Sequence, residues 1–351
     1  MMPINGHAVH ERGHDIIVVG ASSGGVEALS RLVRSLPVDI PAAIFVVLHI
    51  APDRTSALPA ILNRQGRLPV VHATDGEPIV SGRVYVAPPD RHLVLLPGRI
   101  VLTSGARENR VRPAIDVLFR TAAVSYPGRT IGVVLTGQLD DGAAGMAAIK
   151  ACGGMAVVQD PAEAVAPSMP LAALEAASVD HIASIDDLGA LLGRLASEPA
   201  GSSAVPGEIA AEAAIAIGLE KPVRSPSGES AEPPSALSCP DCAGALREVD
   251  DHQHHFRCQV GHAFNLESLL DAHGAELERT LWMALRILEE RVALLLTMAR
   301  REEERGRGMS ASSFRGRAEE MQSHAARLRE MLLGGALAPP PVPAASLEPV
   351  D

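Results

Sequence analysis

Short apolar segments alternate with amphipathic segments over the first two-thirds of the chain. The apolar segments have the length and β-branched content of buried strands, and they lie at residues 15–19, 42–48, 83–87, 92–96, 100–102, 130–135, 156–158 and 181–184. Helical spacing of apolar residues is found at 26–36, 142–151 and 185–195. Apolar strands separated by helices are typical of a parallel sheet covered on both faces. We therefore predict a doubly wound, mostly parallel α/β domain over residues 15–197.

The pattern changes after this domain. Pro, Gly, Ser, Ala and Glu dominate residues 198–236, which we interpret as a linker with one stretch, 209–219, that a docked helix explains. Apolar residues recur at helical spacings over 266–333, with a break near residue 306, which predicts an antiparallel helical hairpin or coiled coil. The Ala/Pro-rich tail, 334–351, has the composition of a disordered segment.

Composition and charge argue against several classes of partner. The 351 residues carry a net charge of −11, and only 2% of them are aromatic. Because nucleic acids are bound by basic surfaces and stacked on aromatic side chains, we expect no nucleic-acid partner. No apolar run approaches the roughly 20 residues that span a bilayer, so we expect no membrane insertion. The polar start of the chain does not resemble a secretion signal, and we expect a cytoplasmic protein.

A glycine-rich turn, GASSGG at residues 20–25, follows the first predicted strand and precedes the first predicted helix. In an open parallel sheet, ligands collect at the carboxyl ends of the strands. Ser22 in this turn would lie at a helix N-terminus, where free backbone N–H groups stabilise a developing oxyanion. A phosphate-binding turn and a plain turn stay open as alternatives, although the Walker lysine and the G-x-G-x-x-G spacing are both missing.

A base and an orienting acid follow two further predicted strands. His49 comes directly after the strand at 42–48, and Asp140 and Asp141 follow the strand at 130–135. A serine hydroxyl needs a base to become nucleophilic, and a carboxylate fixes the tautomer of that base. Alternatively, His49 is an ordinary strand-end histidine, and Asp140 or Asp141 caps the following helix. Ser, His and Asp at three strand ends of one sheet together predict a catalytic triad.

Five motifs in this chain resemble the catalytic domain of CheB-type chemotaxis methylesterases. They are VGASSGG (19–25), LH (48–49), APPDRH (87–92), VRPAIDVLF (111–119) and LTGQLDDGAAGM (135–146). The resemblance implies a nucleophile at Ser22, a base at His49 and an orienting acid at Asp141. It also implies hydrolysis of glutamate γ-methyl esters on the cytoplasmic helices of methylated chemoreceptors, with a related deamidation of glutamine. The reaction would pass through an acyl-enzyme and need no cofactor for catalysis.

The sequence departs from this family's pattern at two places. Gln138 stands where the family has a methionine, close to the backbone amides of 23–25 and 138 that the resemblance implies as oxyanion donors. Only about 14 residues precede the first predicted strand, so we expect no N-terminal receiver domain. Arg112 and Asp116 match a family motif, but an ion pair or a helix start explains them equally well.

Two other functions stay open at this point. In the first, the protein is a non-catalytic signalling scaffold. In the second, the same triad hydrolyses a different ester or amide. A scaffold has no reason to keep Ser22, His49 and Asp141 together, so the triad favours an enzyme.

Three of the four cysteines cluster with a histidine in the segment 237–265. Cys239, Cys242, Cys258 and His262 form the pattern C-x2-C-x15-C-x3-H, which predicts a structural zinc held by three thiolates and one imidazole. A redox C-x-x-C pair and free thiols are the alternatives, but the βαβ context of a redox motif is missing. Four cysteines are too few for a disulfide scaffold in a chain of this length.

Other residues of the C-terminal half support this interpretation less directly. His252, His254 and His255 are expected at the surface, with one of them an alternative fourth ligand. A similar zinc module with a helical hairpin occurs on some CheB-like proteins. The apolar seams of the hairpin would allow a homodimer or the docking of a partner helix, unless the two seams pack against each other.

Overall fold

The computed structural model describes residues 13–49, 56–218, 235–250 and 255–334. The chain divides into two compact units, Met1–Leu269 and Leu270–Asp351. The first unit contains the α/β domain and the Cys/His segment. The second contains most of the helical segment.

Nine strands lie in the α/β part that the structure describes. They are β1 (Ile16–Ala21), β2 (Ala43–Leu48), β3 (Val70–His72), β4 (Val84–Val86), β5 (His92–Leu96), β6 (Arg99–Thr103), β7 (Thr130–Val134), β8 (Met155–Gln159) and β9 (His181–Ala183). Seven of them form one parallel sheet in the order β3-β4-β2-β1-β7-β8-β9. β5 and β6 form a separate antiparallel hairpin. The strands that follow β1 in the chain, β2 to β4, lie on one side of it, and the later strands β7 to β9 lie on the other. The order of the strands therefore reverses at β1, which is the topological switch point.

Helices cover both faces of the large sheet. They are α1 (Gly25–Ser35), α2 (Leu58–Asn63), α3 (Ile115–Ser125), α4 (Ala143–Ala151), α5 (Ser168–Ala176) and α6 (Ile185–Ser197). Alternate residues of β1 enter two cores: Ile17 and Val19 pack with α1 and α6, whereas Ile16 and Val18 pack with α3 and α4. The prediction of a doubly wound, parallel α/β domain is confirmed.

The sequence pattern missed four of these elements, namely α2, β3, α3 and α5. The reason is clearest for α3, which is buried at nine of its eleven positions. A helix without a polar face has no amphipathic period to detect. The helix proposed for 209–219 is present as α7 (Gly207–Ala216), and it packs against α3.

The Cys/His segment folds as a small antiparallel sheet within the first unit. Its strands are β10 (Leu246–Asp250), β11 (His255–Cys258) and β12 (Ala263–Phe264). β12 also pairs with the loop before α3: Asn109 N–H donates to the Ala263 carbonyl at 2.7 Å, and Ala263 N–H donates to the Arg107 carbonyl at 3.3 Å. The segment 237–265, which contains this sheet, is called the Cys/His module below. The predicted domain boundaries at 197, 236 and 265 stay predictions.

The second unit is a helical hairpin, as predicted. α8 (Leu266–Glu304) begins in the first unit and continues through the second, where α9 (Gly308–Leu333) follows it. Leu295 and Ala299 of α8 are buried, as are Ala318 and Ala325 of α9. Leu270, included in the predicted apolar seam, is 74% exposed. No helix in the described ranges is long and apolar enough to cross a membrane. The predicted disordered tail falls almost entirely outside the described residues.

Candidate active site

The three predicted triad residues lie at the ends of three adjacent strands. Ser22 follows β1 and His49 follows β2, while Asp141 lies in the turn after β7. Backbone hydrogen bonds continue past the strands: Ser22 N–H donates to the Thr136 carbonyl at 2.9 Å, and His49 N–H donates to the Ala21 carbonyl at 3.2 Å. The central position of β1 therefore brings the hydroxyl, the imidazole and the carboxylate to one edge of the sheet.

The side chains form a continuous hydrogen-bonded chain. Ser22 Oγ lies 3.1 Å from His49 Nδ1, and His49 Nε2 lies 2.7 Å from Asp141 Oδ2. Because a carboxylate only accepts hydrogen bonds, the proton of neutral His49 belongs on Nε2. Nδ1 is then free to accept the Ser22 proton. This is the arrangement that a serine nucleophile and its general base require.

Asp141 is held by four N–H donors and is only 3% exposed. His49 Nε2 and the Ile115 amide donate to Oδ2, both at 2.7 Å. Asn109 Nδ2 and the Asp116 amide donate to Oδ1, at 2.9 and 3.2 Å. Burial raises the pKa of Asp141, but the hydrogen bond and charge of His49 and the other donors outweigh it, so the net pKa shift is downward. Asp141 is therefore ionised and can accept the hydrogen bond from His49 Nε2.

The backbone after β7 approaches the nucleophile closely. A Cβ atom at Gly137 would lie 2.9 Å from Ser22 Cβ and 2.0 Å from Met169 Sδ. Gln138 follows directly. Within the described part of the chain, no backbone hydrogen bond uses the amides of Ser23 or Gln138. Both amides are therefore available beside Ser22.

Comparison with known proteins identifies the family to which the α/β domain is similar. A family model described as CheB methylesterase matches residues 17–192, half of the chain. The chain belongs to the CheB methylesterase family. The crystal structure of the Thermotoga maritima CheB methylesterase catalytic domain is similar to it with a TM-score of 0.50 and 34% identity, over 52% of this chain and 98% of that chain. The predicted CheB-like fold is confirmed.

Relatives carry matching names. A Leptospira interrogans protein named "Putative protein-glutamate methylesterase/protein-glutamine glutaminase" is 41% identical over 183 residues, 52% of this chain and 95% of that protein. An Anaeromyxobacter dehalogenans protein named "Protein-glutamate methylesterase/protein-glutamine glutaminase 2" is 41% identical over 174 residues, 50% of this chain and 51% of that protein. Each of these matches covers about half of this chain. The residues that the family model matches, 17–192, are called the CheB domain below.

The sequence left the roles of Arg112, Asp116 and Asp140 open, and the structure shows the contacts of each. Arg112 forms an ion pair with Asp90 at 2.7 Å, which matches the ion-pair interpretation. Asp116 lies in the first turn of α3, fully buried beside Asp141. Asp140 does not cap α4, whose N-cap is Gly142 without a side-chain bond. Instead its carboxylate accepts from Glu267 N–H at 2.9 Å and from Ser268 Oγ, in the first turn of α8.

A buried charge cluster joins the Cys/His module to the CheB domain. Arg257 of the module donates to Glu108 at 3.1 Å and to Glu212 of α7 at 2.5 Å, and Arg120 of α3 donates to Glu108 at 2.7 Å. Burial raises the pKa of Glu108, but Arg120 and Arg257 outweigh it and the net pKa shift is downward. Four charges that balance in pairs hold the module in place.

The four predicted metal ligands come together in the Cys/His module. Their ligand atoms all lie within 4.8 Å of one another. His262 Nδ1 lies 3.7 Å from Cys239 Sγ and 3.6 Å from Cys258 Sγ, and Cys242 Sγ lies 3.7 Å from Cys258 Sγ. Tetrahedral zinc, with bonds of about 2.3 Å to sulfur and 2.0 Å to nitrogen, requires ligand atoms roughly 3.5–3.8 Å apart. The donor set and its spacing fit a tetrahedral metal ion.

The sequence predicts a surface position for three histidines of this segment, and the structure describes one of them. His255 is 5% exposed and its Nδ1 is bonded to Asn265 Oδ1 at 2.9 Å, so the expectation of a surface position is wrong for it. The residue lies in β11, and its Nε2 lies 3.8 Å from Glu212 Oε2 of α7. His252 and His254 lie outside the described residues.

The fourth cysteine, Cys152, lies at the end of α4, away from the cluster. It is a buried thiol, and burial raises its pKa to about 11.

Sequence reasoning missed Asn109 and Asn265. Asn109 donates to Asp141, and the side chain of Asn265 donates to Asp116 at 2.9 Å. Asn109 lies in a turn and Asn265 in the connection between β12 and α8, and no periodic pattern marks either position. The only available signal for Asn265 was its place just before a predicted helix, where asparagine is a common N-cap.

Proposed function

We propose that this protein is a serine hydrolase that removes methyl groups from glutamate γ-methyl esters of chemoreceptors, and that it also deamidates receptor glutamine. The observation that carries the proposal is the hydrogen-bonded chain from Ser22 through His49 to Asp141, in a domain of the CheB methylesterase family. The names of the Leptospira and Anaeromyxobacter relatives support the same substrate.

The geometry supports a two-step reaction. Ser22 Oγ attacks the ester carbonyl while its proton moves to His49 Nδ1, and an oxyanion forms. Its collapse breaks the bond to the methoxy oxygen, which leaves as methanol with the proton from His49. A water molecule then attacks the acyl-serine, again losing its proton to Nδ1. Glutamate and the free Ser22 hydroxyl result.

Backbone amides would stabilise the oxyanion. The amides of Ser23 and Gln138 flank Ser22, and neither takes part in another described backbone hydrogen bond. A backbone donor does not depend on the side chain, so glutamine in place of the family's methionine preserves this function. Removing one oxyanion donor costs roughly 100- to 1,000-fold in kcat in serine hydrolases.

The test compares two adjacent serines on receptor helices that carry labelled methyl groups. Ser22→Ala should lower methanol release at least about 1,000-fold, because the nucleophile is lost. Ser23→Ala is the matched control: its side chain is exposed and the substitution keeps its amide. Equal activity of the two variants would contradict the assignment of the nucleophile.

The same assay separates the alternatives. Tight receptor binding by the wild type without methanol release would favour a signalling scaffold. Turnover of small esters or amides without activity on receptors would favour a hydrolase of another substrate class.

We also propose that Cys239, Cys242, Cys258 and His262 hold a structural zinc ion. Zinc would cross-link the turn before β10 to the end of β11 and to the turn between β11 and β12, and it would take no part in the reaction. Metal analysis of the purified protein should find about one zinc per chain. Replacing Cys239 and Cys258 together by alanine should remove it, whereas Cys152→Ala, a buried cysteine elsewhere, should not. Zinc retained by the double variant would refute the site.

Further proposals concern partners and compartment. The hairpin is proposed to form a homodimer or to bind a partner helix, which is supported by exposed apolar side chains on α8, including Leu277, Ile287 and Leu294. The cytoplasm stays the proposed compartment, because three thiols must remain reduced to bind zinc.

A further inference from the structure

A second buried carboxylate lies beside the acid of the triad. Asp116 is 0% exposed and Asp141 is 3% exposed. One donor serves both of them: Asn109 Nδ2 lies 3.0 Å from Asp116 Oδ2 and 2.9 Å from Asp141 Oδ1. The NH₂ group of Asn109 can give one N–H to each carboxyl group. Burial and the charge of Asp141 raise the pKa of Asp116, because two charged carboxylates this close repel each other. The position of Asp141 therefore depends on how well Asp116 is satisfied by other groups.

Asp116 obtains its remaining donors from two sides. The amides of Gly142 and Gly145 donate to Oδ1 at 3.0 and 2.6 Å. On the other side Asn265 Nδ2 donates to Oδ2 at 2.9 Å. Asn265 is therefore the one side chain from beyond the CheB domain that, among the described residues, is bonded to this carboxylate.

Asn265 is itself fixed by several bonds. Its Nδ2 also donates to the Asp140 carbonyl at 3.0 Å, and its Oδ1 is bonded to His255 at 2.9 Å. Its backbone N–H donates to Asn109 Oδ1 at 2.8 Å, which sets the orientation of the Asn109 amide group. Asn265 thus contacts Asp116, Asn109 and the peptide group that precedes Asp141, and it is 4% exposed.

The Cys/His module determines where Asn265 lies. It follows β12 directly, and β12 pairs with the loop that carries Asn109. On its other side it is followed by α8, whose Leu269 amide donates to the Asn265 carbonyl at 2.9 Å. A residue held between a sheet and a helix presents its amide with little freedom.

We infer that Asn265 is a positioning residue for the triad: by bonding Asp116 and orienting Asn109, it keeps Asp141 aligned on His49 Nε2. Its kinetic consequence rests on the proposed esterase function, whereas its structural consequence rests on the geometry alone. Without the Asn265 side-chain amide, Asn109 Nδ2 is the one side-chain donor left to Asp116 Oδ2 among the described residues, and the closer contact with Asp116 shifts the Asn109 NH₂ group away from Asp141 Oδ1. The Cys/His module, which fixes the position of Asn265, thus helps to hold the triad in its reactive arrangement.

The test uses the full-length protein with Asn265→Ala and two readouts. The kcat for methyl-ester hydrolysis should fall about tenfold or more while KM stays close to the wild-type value, because the substrate contacts are untouched. The far-downfield proton resonance of His49 Nε2–H, the proton shared with Asp141, should shift or broaden. A purely structural role would move neither readout in the folded protein.

Asn63→Ala is the matched control. Asn63 is also an asparagine that binds backbone, with Nδ2 2.6 Å from the Val70 carbonyl and Oδ1 2.9 Å from the Val70 amide. Its loss should lower the unfolding temperature and leave kcat and the His49 resonance unchanged. The inference is overturned if Asn265→Ala behaves in the same way.

A second variant keeps the test valid if alanine prevents folding. Asn265→Ser retains a residue suited to a helix N-cap, but its side chain is too short to reach Asp116. It should show the same loss of kcat and the same change in the resonance. If the wild type releases no methanol but the resonance still moves in Asn265→Ser, the positioning role stands and the proposed function fails.

Discussion

At the scale of single residues, the carboxylate of Asp141 determines the tautomer of His49, and three other N–H donors, from Asn109, Ile115 and Asp116, hold that carboxylate. Oδ2 faces Nε2 at 2.7 Å, so only the tautomer with a proton on Nε2 leaves Nδ1 open for Ser22. Asp141→Asn should reverse this, because the asparagine can present its NH₂ group to Nε2. We expect kcat to fall about 10,000-fold with little change in KM.

The neighbouring carboxylate provides the control for this prediction. Asp140 bonds the first turn of α8 and not His49, so Asp140→Asn should keep kcat within about tenfold of the wild type. Steady-state kinetics on methylated receptor measures both. If Asp140→Asn were the more damaging of the two, the orienting acid would have been misassigned.

Gly137 leads to a prediction about packing next to the nucleophile. A methyl group there would lie 2.0 Å from Met169 Sδ and 2.9 Å from Ser22 Cβ. Gly137→Ala should therefore destabilise the fold by about 1–3 kcal/mol and displace Ser22, lowering kcat in a folded protein. Urea unfolding and kinetics test both parts. Gly201→Ala, where a Cβ meets no atom within 4 Å, should change neither.

Strand ends made part of the site predictable from sequence. Ser22 and His49 each follow an apolar run directly, and the rule that chemistry collects at carboxyl ends of parallel strands links them to Asp141. Asn109 and Asn265 escaped because no period marks them. They are 156 positions apart in the chain and meet only through tertiary packing.

At the scale of secondary-structure elements, the start of α3 is as important as the strands. The Ile115 and Asp116 amides of its first turn donate to Asp141, so the positive end of the helix faces a carboxylate. Short apolar runs predicted the neighbouring strands, because a buried strand can be recognised from a few consecutive residues of the sequence. It could not predict α3, whose burial on nearly all sides removes the pattern.

The charge cluster between β11, α3 and α7 leads to a prediction about stability. Arg257→Met should lower the free energy of unfolding by about 3–5 kcal/mol, because Glu108, which is buried, and Glu212, which is 14% exposed, would each lose a partner. Urea titration measures the change. Arg194→Met is the control: its ion pair with Glu198 is exposed, so its loss should change the unfolding free energy by less than about 0.5 kcal/mol.

The same variant has an expected pH dependence. The pKa values of Glu108 and Glu212 are lowered from 4.5 in the folded protein, so the unfolded chain binds protons more readily. Their contribution to stability is present above pH 4.5 and is lost as the pH falls below it. The difference in unfolding free energy between wild type and Arg257→Met should therefore shrink on acidification. A difference that grows below pH 4.5 would contradict the assigned pairing.

At the scale of the whole molecule, contacts between residues far apart in the chain join the Cys/His module to the CheB domain within the unit that ends at Leu269. The pairs Arg257–Glu108 and Asn265–Asp116 span 149 residues each, and such contacts leave no trace in local composition. The helical hairpin was predictable, because its period extends over two long helices.

The second unit is expected to self-associate. Ile287 and Leu294 of α8 are 47% and 64% exposed, and burial of such side chains against a second hairpin would remove them from water. Sedimentation should give a dimer that Ile287→Glu with Leu294→Glu converts to a monomer. Val165→Glu, at an apolar position of the CheB domain that is 77% exposed, should leave the dimer intact. A wild type that is monomeric throughout a dilution series would leave only the partner-helix proposal.

The burial behind the triad also determines the path of the proton. Asp116, Asp141 and Asn265 are each at most 4% exposed, so bulk solvent does not reach the carboxylate side of His49. The Nε2 proton of His49 is held by Asp141, whereas Nδ1 faces Ser22, the group that reacts. In the proposed reaction Nδ1 would gain a proton from Ser22 or from the attacking water and would lose it to the leaving alcohol or back to Ser22, so that each protonation of the ring would accompany a chemical step.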